Sequence, residues 1–156
     1  MKILQRTLAL LVATSIIMPL TSEACTRAIV ESGGGRFITA RSMDWQTDLY
    51  SDLWAFPRGM KKNGGIDAGS IKWISKYGSI TASGFDVGTA DGMNEKGLVV
   101  NLLYLAEADY GNSKKPTISV GAWPQYILDN YATVDEAVNA LRNEPFQIVA
   151  PPLPDG

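Results

Sequence analysis

The sequence reads as an α+β chain in which strands come first and helices late, and three observations carry this. From Thr26 onward, short runs of alternating polarity are separated by glycine-rich turns. Leu98 to Tyr104 is an almost uninterrupted apolar run, which suggests a strand covered on both faces. Helical periodicity is confined to the part after Thr117, where a capping signature also stands.

Taken in order, Thr26 to Glu31 and Arg36 to Met43 are strand candidates joined by the turn Ser32-Gly33-Gly34-Gly35, hence a β-hairpin. That hairpin sets Cys25 at one end of its first strand and Arg41 to Asp44 near the same end of its second. Leu53 to Phe56 is a short strand stopped by Pro57. Arg58 to Ser70 reads as a mobile loop, with Lys61-Lys62 a solvated patch. Ser79 to Ser83 and Phe85 to Ala90 alternate as strands do, and Asn94-Glu95-Lys96-Gly97 forms the turn into the apolar run. Thr117 to Tyr131 has helical spacing at Val120, Trp123, Ile127 and Leu128, with Pro124 in a first turn or at a bend. Thr133 is an N-cap with Glu136 completing a capping box, and Val134, Ala137, Val138 and Leu141 form the expected buried stripe. The chain then runs into a proline-rich loop with no further element expected. Trp45, Phe85 and Trp123 read as core or pocket wall.

Residues 1–24 have the three parts of a secretory signal. Lys2 and Arg6 give the positive start, Leu8 to Leu20 the apolar stretch, and Ser22 and Ala24 the small residues at −3 and −1. The stretch is short for a membrane helix, which wants about 20 apolar residues. Cleavage before Cys25 is therefore expected, with secretion or delivery to a periplasm. An uncleaved anchor and a lipoprotein signal acylating Cys25 are the alternatives. Against the second, Ser22 stands where an aliphatic residue is usual.

With the leader removed, 132 residues remain, enough for one domain, bearing 12 basic and 15 acidic side chains. No clustered basic face points to nucleic acid or an anionic membrane. The single cysteine cannot build an internal disulfide framework, and without any histidine the ordinary zinc sites are excluded. No metal and no cofactor is expected. A cysteine freed at a chain start needs no imidazole, however, because its own α-amine, titrating at about 7.7–8.0, can take the thiol proton.

Cys25-Thr26-Arg27, then Arg41-Ser42-Met43-Asp44-Trp45, then Asp91-Gly92-Met93-Asn94-Glu95-Lys96-Gly97-Leu98 together resemble the choloylglycine hydrolase family of N-terminal-nucleophile amidases. That family includes penicillin V acylases, conjugated bile salt hydrolases and acylases of N-acyl homoserine lactones. Arg41 and Asp44 follow Cys25 by 16 and 19 residues, in the family's order. The resemblance implies an αββα sandwich, hydrolysis of a linear amide in an N-acyl small molecule through a thioester, and a homotetramer at full length. It makes Cys25 the nucleophile with its α-amine as general base, Asp44 the carboxylate that holds the amine, and Arg41 the cation beside the thiol. Tyr104 falls where penicillin V acylases have tyrosine and bile salt hydrolases asparagine, and its backbone N–H would be an oxyanion donor. This favours an acylase, as does a secretory leader, which implies a Gram-negative source. Family members are longer, so the chain reads as the N-terminal half of the sandwich. A second oxyanion asparagine and a further arginine are expected beyond Gly156. A rival of another class is a lipid-anchored binding domain acylated on Cys25. A cysteine protease is a weaker third, its histidine lying outside this sequence.

Overall fold

Three successive glycines with positive φ, Gly33, Gly34 and Gly35, let the chain reverse between β1 (Arg27–Glu31) and β2 (Phe37–Arg41). The two strands pair antiparallel, Arg27 against Arg41 and Glu31 against Phe37, as a two-stranded sheet of their own. The computed structural model describes residues 25–105 and 107–153. The leader read over residues 1–24 lies outside the described residues, as do the last three positions.

The main sheet has four antiparallel strands in the order β3, β6, β7, β8: β3 (Leu53–Phe56), β6 (Ser79–Gly84), β7 (Gly88–Asn94) and β8 (Val99–Asn101). Its register puts Trp54 beside Thr81 and Phe56 beside Ser79 on one face, and Leu53 beside Ala82 and Ile80 beside Met93 on the other. Helix α1 (Trp123–Asn130) covers the first face. It approaches so closely at Gly92 that a Cβ there would lie 2.8 Å from Leu128 Cδ1. Leu128 and Ile118 are fully buried at this centre. The second face is open: Leu53, Ile80 and Met93 are 79, 60 and 53% exposed.

Several expectations need correcting. The strand expected from Phe85 begins at Gly88, because Phe85 and Asp86 take positive φ in the turn that joins β6 to β7. The run Leu98 to Tyr104 is a strand only over Val99–Asn101, and Leu103, Tyr104 and Leu105 are exposed. The loop expected over Arg58 to Ser70 holds β4 (Lys61–Asn63), which pairs with β5 (Lys72–Ile74). Lys62 is no solvated patch. Its ammonium lies 3.9 Å from the Phe56 ring centroid and 3.3 Å from Asp129 Oδ2, where Asp129 is wholly buried.

Asp129 is the centre of a polar knot that fastens α1 to the sheet. Its carboxylate accepts from Trp73 Nε1 at 2.6 Å and Gln125 Nε2 at 2.9 Å, and Gln125 also donates to Ser79 Oγ and accepts from Thr89 Oγ1. A buried charge supplied with this many donors is tolerated where a bare one is not. Burial pushes the Lys62 ammonium below its ordinary 10.5, against the opposing pull of Asp129.

The helix expected from Thr117 begins only at Trp123, with Pro124 in its first turn, where no amide is lost. Thr117–Ser119 is instead β9, and it pairs in parallel with β10 (Gln147–Val149), an element not expected at all. Between them lies α2 (Val134–Leu141), whose cap forms as expected. Thr133 Oγ1 accepts from Glu136 N at 3.2 Å, while the Glu136 carboxylate accepts from the Ala132 amide. Its expected stripe is buried only at Ala137, and Val134 and Val138 face solvent.

Candidate active site

The hairpin register decides what surrounds Cys25. Ser42 N–H donates to Thr26 C=O at 2.9 Å, which carries the β1–β2 ladder one residue past the strand ends. Side chains alternate along paired strands. Cys25 therefore shares a face with Arg27 and, across the pair, with Arg41 and Met43. Cys25 is half-buried and makes no disulfide.

Arg41 is fixed on three sides. Its Nη1 donates to Ala90 C=O at 3.2 Å and touches Met43 Sδ at 3.5 Å, and its Nε donates to Ser42 C=O at 3.3 Å. Nη2 is buried with no partner among the described residues. A guanidinium clamped at two nitrogens with donors of the third unused can serve a charge brought to it. The hydrogen bond from Arg41 to Ala90 ties the hairpin to the main sheet.

Asp44 is exposed and lies just beyond β2. Its Oδ2 accepts from Ser42 Oγ at 2.8 Å, and the same hydroxyl oxygen accepts from Thr26 N–H at 3.3 Å. The carboxylate is thus linked through one hydroxyl to the peptide that follows Cys25. Its other oxygen can accept from a further donor.

Tyr104 is reached along β8. The Leu102 amide donates at 2.8 Å to the same Ala90 oxygen that receives Arg41. Two residues on, the Tyr104 ring meets Trp45 edge to face, with centroids 4.9 Å apart and planes at 86°. Trp45 follows Asp44 directly, so this ring pair ties the far side of the site to the carboxylate. Cys25, Arg41, Asp44 and Tyr104 therefore fall in one region spanning the hairpin end and the end of β8. The expected position of Tyr104 inside a covered strand is not what is found, since it lies past the strand and is half exposed.

Two participants escaped sequence reasoning. Ser42 carried a legible signal, because alternation puts it on the same side as Asp44 two residues later. The Ala90 carbonyl carried none, since a main-chain oxygen has no residue type to betray it. Asn94, read as a turn former, is one: its Oδ1 accepts from the Lys96 and Leu98 amides. It is also buried and donates from Nδ2 to Leu128 C=O and Tyr131 C=O, both at 2.8 Å. Among the described residues no group of acidic or cysteine side chains is placed to hold a metal. None of their helices is long and apolar enough to cross a membrane.

Residues 25–155 match the linear amide C-N hydrolases of the choloylglycine hydrolase family. A penicillin V acylase from Pectobacterium atrosepticum is 50% identical over 139 residues, a match covering 82% of this chain and 37% of that protein. Among solved structures, penicillin V acylase from Agrobacterium tumefaciens aligns at a TM-score of 0.75 and 52% identity, over 79% of this chain and 39% of the other. A mutant of the conjugated bile acid hydrolase from Clostridium perfringens aligns at 0.61 and 26% identity, over 83% and 40%. The chain thus spans about two fifths of the length of these relatives. Its sheet-dominated α+β fold is that of the corresponding part of these N-terminal-nucleophile hydrolases. The chain belongs to the family of linear amide C-N hydrolases, the choloylglycine hydrolase family.

Proposed function

We propose that the protein hydrolyses a linear amide in an N-acylated small molecule, in the manner of a penicillin V acylase, with Cys25 as an N-terminal nucleophile. The observation that carries this is the hydrogen-bonded link from Thr26 through Ser42 to Asp44, which ties a carboxylate to the peptide that follows the residue that must supply both thiol and amine.

The chemistry follows from the groups present. Removal of residues 1–24 during export turns the Cys25 nitrogen from an amide, which is not basic, into an amine. Neutral amine takes the thiol proton as sulfur attacks the substrate carbonyl carbon, and Asp44 holds the resulting ammonium. The developing oxyanion is met by the Tyr104 backbone N–H. As the carbon–nitrogen bond breaks, the ammonium returns its proton to the leaving nitrogen, leaving a thioester on Cys25. A water deprotonated by the amine then attacks the thioester, and the carboxylic acid and free thiol are released. Arg41, on the thiol's face of the hairpin, favours negative charge there.

Tyr104 and the acylase relatives favour a penicillin V-like substrate over a conjugated bile salt or an N-acyl homoserine lactone. The test is the exported protein itself. Its mass should place the N-terminus at free Cys25, and the full-length protein should hydrolyse penicillin V faster than a glycine-conjugated bile salt or an acyl homoserine lactone. An N-terminus elsewhere, or acyl chains on Cys25 that carry the protein into a detergent phase, would remove the general base and favour the lipid-anchored alternative.

A further inference from the structure

We infer that Ser42 is a positioning residue for the amidase reaction: its hydroxyl sets the Asp44 carboxylate against the chain start, so that the α-amine of Cys25 is held in the one orientation from which it reaches its own thiol. This rests on the reading of Cys25 and Asp44 given above. Ser42 Oγ accepts from Thr26 N–H at 3.3 Å and donates to Asp44 Oδ2 at 2.8 Å, so its proton direction is fixed by its two partners. The Thr26 nitrogen is joined to the Cys25 nitrogen through only the Cys25 carbonyl and α carbons. Fixing that peptide plane and the carboxylate to one hydroxyl therefore leaves a single torsion, about the Cys25 Cα–C bond, between the carboxylate and the amine.

The placement is built into the fold. The Ser42 N–H to Thr26 C=O bond at 2.9 Å holds the same two residues in register from the main-chain side. Alternation then brings the Ser42 and Asp44 side chains to one side, opposite that of Cys25 and Arg41. Asp44 lies outside β2 and is exposed, and the Ser42 hydroxyl donates to its carboxylate. Without it, an exposed carboxylate on an extended segment samples many rotamers, and a misplaced general-base partner costs rate rather than binding.

The experiment compares Ser42→Ala, Ser42→Thr and Asp44→Asn in the full chain, reading kcat and KM for penicillin V and the melting temperature. Ser42→Ala is expected to lower kcat about tenfold with KM within about twofold, as for a residue that orients reacting groups. Ser42→Thr, which keeps the hydroxyl, is expected to restore kcat to within about threefold. Asp44→Asn should cost at least as much as Ser42→Ala. If Asp44→Asn is impaired while Ser42→Ala keeps its kcat, the positioning role is wrong and the reading of Asp44 stands. If Ser42→Ala lowers only the melting temperature, or Ser42→Thr fares no better than Ser42→Ala, the hydroxyl has no positioning role. If Asp44→Asn keeps full activity, the underlying reading of the site fails first.

Discussion

Arg41 and Ala90 lie 49 residues apart and meet in a hydrogen bond of 3.2 Å from Nη1 to the carbonyl oxygen. The Leu102 amide takes the same oxygen's other lone pair, so one main-chain carbonyl joins the hairpin bearing Cys25 to the strand leading to Tyr104. Lysine cannot reproduce this, because it offers one compact ammonium where Arg41 uses Nε and Nη1 in a fixed plane. A hydrogen bond from a charged donor is worth about 1.5–3 kcal/mol. Arg41→Lys in the full chain should lower kcat/KM for penicillin V by about tenfold or more. Steady-state kinetics that show Arg41→Lys within twofold of the parent would separate Arg41 from the reaction.

Asn94 satisfies four main-chain groups at once, two amides in its own turn and the carbonyls of Leu128 and Tyr131. Asn94→Ala leaves these buried groups without partners and should destabilise the fold by about 3 kcal/mol. Asn94→Asp keeps the acceptor and loses the two donors, so it should fall between. Urea unfolding followed by tryptophan fluorescence orders the three proteins.

Lys62 and Asp129 form a buried pair in which Asp129 also accepts from Trp73 and Gln125. Lys62→Met leaves the Asp129 carboxylate buried with Trp73 and Gln125 alone, and should cost about 3 kcal/mol at neutral pH. The pH dependence has a definite sign. Burial holds the folded-state pKa of Lys62 below its ordinary 10.5, so between the two values the unfolded chain binds more protons. The pH-dependent part of the Lys62 contribution, which adds to what the side chain supplies at neutral pH, is therefore fully present above 10.5 and is lost as pH falls through the folded-state value. Stability of the parent relative to Lys62→Met should rise with pH in that alkaline window. A difference that is flat or falls there would show Lys62 to be as solvated as its sequence suggested.

The open face of the main sheet exposes Leu53, Ile80 and Met93, and the separate hairpin exposes Val30 and Ile38. Apolar surface on this scale is a docking or association surface when it meets water. Residues 25–156 produced by themselves should bind a hydrophobic dye and self-associate in light scattering. A monodisperse, dye-free monomer would contradict this.

What the sequence disclosed depended on how local the cause was. The hairpin was legible because three glycines and two alternating runs are neighbours, and the Thr133 cap because its bonds close within four residues. Lys62 was misread because its partner Asp129 lies 67 positions away and nothing near Lys62 marks it as buried. The strands Thr117–Ser119 and Gln147–Val149 escaped because three residues cannot display a period of two, and each is a strand by virtue of the other. The α2 stripe was legible as a pattern but not as burial, since periodicity says which side chains share a face and not whether anything covers it. In the candidate site, Cys25, Arg41 and Asp44 stood out through the family resemblance that their motifs carry. The carbonyl that anchors Arg41 and the hydroxyl that anchors Asp44 became visible only with the register.

The central claim is that Cys25, freed at its amine, forms a thioester with the substrate acyl group. It is tested most directly by acid-quenching the full chain during turnover of penicillin V and sequencing the N-terminal peptide by mass spectrometry. The account predicts a peptide that begins at Cys25 and carries one phenoxyacetyl group, released by hydroxylamine and absent in Cys25→Ala. An N-terminal peptide that begins before Cys25, or an acyl group on any other residue, would contradict it.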